Sequence, residues 1–271
     1  MTTVISNSGW MTLGFPTSAP ALEKFGLKFS AGGAHISRTM MLAELEAALV
    51  AVPAGSSVSD YRDAILVRNV LAKTTESTQQ KSLRHLRELY ALDEAVPIFV
   101  IFRKLHAIDS ASLPLLAVQV AWARDPLFRA TTPPILDASE GARVEADSLS
   151  QAVEAVFPNQ YSECSRNGVA SHAASSWTQS GHLTGRAKKI RARVKPSPVS
   201  ATLAMLLGYI SGFHGQAVFS NPWCRLLDLT ADQARICARE AHRAGLLNLR
   251  SVGEVVELSF PMFAKFLPEL P

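Results

Sequence analysis

Between Glu163 and Asp228 the sequence runs 64 residues without an Asp or Glu, although its 23 acids, spread evenly over 271 positions, would place about five there. Catalysis by paired carboxylates and magnesium binding both need such side chains, so this region is poorly equipped for either. Cysteine is scarce too. Cys164, Cys224 and Cys237 are three in number with no C-x-x-C spacing, which gives neither a disulfide framework nor a zinc signature and fits a reducing compartment. The apolar runs VPIFVIF (96–102) and LPLLAVQVAW (113–122) fall short of the roughly 20 residues that span a bilayer, which predicts no membrane association. The first twenty residues, MTTVISNSGWMTLGFPTSAP, have neither a basic segment nor a continuous apolar one, so no signal peptide is expected and a cytoplasmic location is.

Familiar catalytic patterns are missing as well. The sequence has no G-x-x-x-x-G-K-[ST], G-x-G-x-x-G, H-E-x-x-H or G-x-S-x-G. GYISG puts Ser211 one place too late for a nucleophile elbow, and the neighbours Ser171 and His172 would point apart on a helix. Glu44, Glu46, Asp60 and Asp63 read as helix-surface and capping charges. The expectation is a non-enzymatic protein without cofactor or metal. An enzyme with a site assembled from scattered residues is the rival class.

With 48% hydrophobic and 18% charged residues the chain reads as globular and mainly α-helical. Residues 1–26, rich in Ser, Thr, Gly and Pro, form an expected flexible arm. Two helical lobes follow, 27–135 and 136–271, divided at the Pro-rich stretch near 133–150. Periodicity predicts helices over 36–52, 60–73, 96–108 and 111–123. A further helix starts at Ser77, where Gln80 three residues on would complete a capping box; its stripe is Leu83, Leu86, Leu89 and Tyr90, leaving Lys81, Arg84, His85 and Arg87 on the surface. ADSLSQAVEAVFP and YSECSRNGVASHAASSWTQS predict the next two helices, the second stopped by Gly181. PVSATLAMLLGYISGF reads as a core helix, and TADQARICAREAHRAGLL as a helix capped by Thr230 that leads into a hairpin around Val252-Gly253.

Within the acid-free region, Arg186, Lys188, Lys189, Arg191, Arg193 and Lys195 occupy ten positions. As a strand, the run alternates Ile190, Ala192 and Val194 with Arg191, Arg193 and Lys195, one face buried and one cationic. As a helix it would show a narrow apolar stripe of Ala187, Ile190 and Val194; the short run ending in PSP favours the strand. A helix followed by a basic strand is the outline of a winged helix-turn-helix. Duplex DNA is dense in phosphate, and each Lys or Arg that neutralises one releases counterions, so the run is well suited to DNA. Asn167, Ser175, Ser176, Thr178 and Gln179 on the preceding helix are neutral donors of the kind that contact phosphates and base edges. Trp177 reads as a core anchor rather than a base-stacking platform, and His172 and His182 carry no special role. The alternative use of the run is to dock an acidic partner protein.

LKFSAGGAHISRTMMLAEL, RNVLAKTTESTQQKSLRHLRELYALD and SRNGVASHAASSWTQSGHLTGRAKKIR together resemble the BrxA family of bacteriophage-exclusion (BREX) defence systems. The likeness covers three blocks between about residues 27 and 195, and the sequence after about 200 lies outside it. The resemblance implies a mostly helical, non-enzymatic cytoplasmic protein likened to the NusB antitermination fold. It further implies binding of double-stranded DNA beside other phage-defence proteins. The contacts it implies are Ser77, Thr78, Lys81 and Arg84 in one motif, and Ser176, Gln179, Arg186, Lys188, Lys189 and Arg191 in the other.

Overall fold

A computed structural model describes residues 19–253 and 255–267. Most of the expected arm therefore lies outside the described residues. Its described part is helix α1 (Ala19–Phe25), whose Leu22 and Phe25 are buried. A 3-10 turn (Ala34–Ile36) precedes α2 (Leu42–Ala51), α3 (Val58–Leu66), α4 (Glu76–Tyr90), α5 (Pro97–Ile108) and α6 (Leu113–Arg124). The short α7 (Pro126–Ala130) and α8 (Pro133–Leu136) lead to strand β1 (Arg143–Val144). Then come α9 (Ala146–Val156), α10 (Glu163–Gln179), β2 (Leu183–Thr184) and β3 (Lys189–Arg191). The C-terminal part consists of α11 (Pro198–Ile210), α12 (Pro222–Leu226), α13 (Ala231–Arg243) and the hairpin β4 (Asn248–Val252) and β5 (Val255–Ser259). The fold is mainly helical, with two small antiparallel sheets.

Hydroxyl side chains start five of these helices. Ser57, Thr75, Ser162, Ser197 and Thr230 each accept a hydrogen bond from a backbone N–H in the first turn of α3, α4, α10, α11 and α13. Such a cap contributes about 1 kcal/mol. Thr230 has its expected role, reciprocated by Gln233. The start of α4 differs from the reading of the sequence: Thr75 is the cap, and Gln80 bonds Glu76 within the helix. Ser77 instead lies exposed in the first turn.

Two expected helices are shorter than their periodicity predicts, and in both cases a side chain captures the backbone. Residues 37–41 stay out of α2 because Ser176 accepts from the Met40 N–H, and Met41 takes a left-handed conformation. The helix over 60–73 begins at Val58 and stops at Leu66; Asn69 then bonds both the N–H and the carbonyl of Lys73. His85, expected on the surface, is buried, its Nε2 3.4 Å from the Ser37 Oγ.

α6 and α11 are buried almost all round, as expected for helices apolar on every face. They pack with α5 at the centre, and Trp122 of α6 meets Trp223 of α12 edge to face, 5.3 Å between ring centroids. One apolar cluster extends from Leu22 to Phe263 and draws on both sides of the Pro-rich break. A smaller one, built from Leu127, Ala130, Val153, Phe157 and Val169, glues α9 and α10 to α7. This second cluster fixes the helix pair that precedes the basic strand.

Candidate nucleic-acid interface

The basic run folds as a strand. β3 pairs antiparallel with β2 on one side (Leu183 opposite Arg191, Thr184 opposite Ile190) and with β1 on the other (Arg143 opposite Ile190, Val144 opposite Lys189). The sheet order is therefore β1-β3-β2, with α9 and α10 inserted between its first and second strands. The β2-β3 turn depends on Gly185. Its φ is +86°, and a Cβ there would stand 2.2 Å from the Lys188 carbonyl oxygen, so a side chain is excluded twice over.

The six cations have different fates. Arg186 and Lys188 are exposed at the turn, and Lys195 is exposed at the exit from the strand; none of the three has a carboxylate partner among the described residues. Lys189 is half-buried and donates to the Thr178 Oγ1 (3.0 Å) and the Gly185 carbonyl (2.9 Å), tying the turn to the end of α10. Arg193 is exposed but reaches to 3.5 Å from Asp228. Arg191 is buried, in a pair with Asp228, and also donates to the carbonyls of His182 and Ala192. The expected cationic face of Arg191, Arg193 and Lys195 is thus broken at its first member. The acid that ends the carboxylate-free stretch folds back onto that stretch, and its second oxygen accepts from the Val194 N–H.

α10 is also two-sided. Asn167 and Ser171 are exposed, and Ser175 and Thr178 half-exposed, at spacings of three or four, so they make one outward stripe of small polar groups. Ser171 had not been expected in this role, although the helical period alone places it with Asn167 and Ser175. Ser176 and Gln179 face the other way. Gln179 accepts from the Leu42 N–H and donates to the Thr39 Oγ1. Both side chains therefore hold the segment before α2 and stand outside the outward polar stripe. Trp177 is a core anchor, as its apolar neighbours imply, with its indole N–H on the Thr131 Oγ1 at 3.0 Å.

Behind α10 lies a buried polar centre. His35 Nδ1 donates to Asp125 Oδ2 (2.7 Å), and its Nε2 is 2.8 Å from the Ser176 Oγ. Burial opposes the charge on Asp125, but the His35 imidazole and the N–H groups of Phe128 and His35 outweigh it and hold the carboxyl below its usual range. The contact order is that of a hydrolytic Ser-His-Asp triad. All three residues are fully buried, however, and the Ser176 hydroxyl is also engaged by the Met40 N–H and the His172 carbonyl. The centre joins three segments distant in sequence. Gly33 belongs to it, since a Cβ at that position would sit 1.9 Å from the Asp125 Oδ1.

His182 is similarly committed. Its ring lies against the Ser180 Oγ (2.8 Å) and the Leu226 carbonyl (2.7 Å), and burial lowers its pKa to about 4, so it is neutral near pH 7. On α4, Lys81 and Arg84 are exposed, while Thr78 is half-buried with its hydroxyl 2.8 Å from that of Thr75. Among the described residues no group of three or more His, Cys, Asp or Glu is placed to hold a metal ion, and no helix is long and apolar enough to cross a membrane. Comparison with protein-family models, with curated proteins and with solved structures finds no match to this chain.

Proposed function

We propose that the unit β1-α9-α10-β2-β3 is a winged helix-turn-helix that binds double-stranded DNA without catalysing a reaction on it. In this reading α9 and α10 are the helix pair, α10 lies along a groove, and the β2-β3 turn is the wing. The observation that carries it is the pairing of an outward polar stripe on α10 with a turn whose Arg186 and Lys188 have no carboxylate partner among the described residues. Lys189 links the two through Thr178, so stripe and turn would meet DNA as one body. Arg186 and Lys188 supply the phosphate term, and the Asn167 amide and Ser171 hydroxyl supply neutral donors, the Ser175 hydroxyl being bonded to the Ser171 carbonyl. The resemblance to BrxA proteins extends the proposal to an accessory role in phage defence, beside other proteins of such a system and in the cytoplasm. The rival reading, a scaffold that docks an acidic protein through the same turn, makes a different prediction. In a mobility shift at low salt, duplex DNA should be retarded by the wild type and much less by the Arg186→Ala/Lys188→Ala variant. Absence of any shift for the wild type would favour the scaffold.

A further inference from the structure

A cavity of about 480 Å³ opens where α3, α4 and the end of α6 meet, away from the polar stripe of α10. Leu66, Leu83 and Val96 give it an apolar wall, and Arg84, Arg87 and Arg124 bring three guanidinium groups to it. It is open to solvent on one side, and its volume falls within the range of small-molecule sites.

The charge around it is unbalanced. Arg124 is buried, yet its hydrogen bonds go to the carbonyls of Gly26, Arg87 and Glu88. Lys28 donates to the same Glu88 carbonyl, 3.2 Å away. These two cations cap the last carbonyls of α4, which satisfies the helix end but neutralises neither of them. Burial lowers the Lys28 pKa first and the neighbouring Arg124 adds to it, while Glu88 and Asp125 oppose the shift. Among the described residues Arg87 makes no ion pair or side-chain hydrogen bond, and Arg84 makes a single one, to His85 at 3.3 Å. Two carboxylates line the cavity against its three guanidinium groups: Glu88 lies 3.6 Å from His85 and also attracts Lys28 and Arg124, and Asp93 accepts from the Ala95 N–H. The backbone at its edge is unusual too, with Ala91 and Leu92 both at positive φ (68° and 51°), a conformation that non-glycine residues keep only when the surroundings impose it.

We infer that this cavity binds a phosphomonoester with an apolar or planar body, of about the size of a nucleoside monophosphate. The phosphate would sit between the Arg84 and Arg87 guanidinium groups, whose forked donors match its oxygens, and the body would lie on Leu66, Leu83 and Val96. This site does not depend on the DNA-binding proposal for α10 and the wing, because its ligand is a free small molecule or a strand end.

Titration calorimetry on the full chain tests it, with AMP, GMP, CMP, UMP, adenosine and inorganic phosphate as probes. Saturable one-to-one binding of at least one monophosphate below about 1 mM is expected, with adenosine and inorganic phosphate each at least about tenfold weaker. Arg84→Ala/Arg87→Ala, at two exposed positions and with an unchanged melting temperature, should weaken it about tenfold or more. In the Arg186→Ala/Lys188→Ala background, a 5′-phosphorylated single-stranded oligonucleotide and its unphosphorylated counterpart separate the sources: binding that is tighter than the mononucleotide's and needs the 5′-phosphate assigns the site to a strand end, and weaker binding to a free nucleotide. No saturable binding of any monophosphate, equal binding of inorganic phosphate, or a double variant that binds like the wild type would overturn the inference.

Discussion

Lys188 and Arg191 lie three residues apart in one hairpin and are used in opposite ways. At the inner end of the β2-β3 hairpin Arg191 is buried against Asp228, with one terminal nitrogen donating to the carbonyls of His182 and Ala192 and its Nε left without a partner. The outer turn is open, with Arg186 and Lys188 in solvent and no acid among the described residues paired to them. Removing a charge should therefore cost folding free energy at the inner end and DNA affinity at the outer one. Composition treats the six cations alike, and burial divides them.

The sharpest way to break this division is at Asp228. Asp228→Ala leaves Arg191 as a buried cation without its counter-charge and should cost about 3–5 kcal/mol in urea unfolding. Arg191→Met, similar in length but neutral, should cost less in an Asp228→Ala background than alone. A loss near zero for Asp228→Ala would mean that the inner end is as open as the turn.

The next effect is one of pH. The folded-state pKa of His182, about 4, lies below the ordinary value of 6.5, so the unfolded chain takes up this proton first. Its contribution to stability is full above about pH 6.5 and is lost as the pH falls towards 4, up to about 3 kcal/mol across that window. His182→Gln should flatten this part of the stability profile, measured by denaturant unfolding from pH 4 to 8. A profile unchanged by the substitution would place the proton elsewhere.

A smaller loss is expected behind α10. Ser176→Ala removes the acceptor of the Met40 N–H and the partner of the His35 Nε2, which should cost about 1–3 kcal/mol. If Ser176 instead served DNA, the substitution would lower affinity and leave the melting temperature unchanged. Smallest in stability is Arg186→Ala/Lys188→Ala, at two exposed positions, which should change unfolding by less than about 0.5 kcal/mol.

Much of the fold can be read from residue order. The cap at Thr230, the all-apolar α11 and the hairpin around Gly253 follow from local chemistry that neighbours in sequence carry themselves. Where the reading fails, the deciding partner is remote. Ser176 and Gln179 are ordinary polar residues of a helix until residues 39–42 arrive at their side of it, some 137 positions away in sequence. Strict alternation predicts Arg191 on a solvated face, but Asp228, 37 residues further on, draws it inward. The carboxylate-free interval that singles out this region ends at that same Asp228, which the fold returns to the run.

The central claim is tested most directly by the salt dependence of duplex binding. The logarithm of the association constant should fall linearly with the logarithm of salt concentration for the wild type. In Arg186→Ala/Lys188→Ala the slope should shrink by about 2, one for each phosphate that the variant leaves unneutralised, with unfolding unchanged. Equal slopes for wild type and variant, in a variant that remains folded, would contradict the assignment of the outer turn as the phosphate-binding wing.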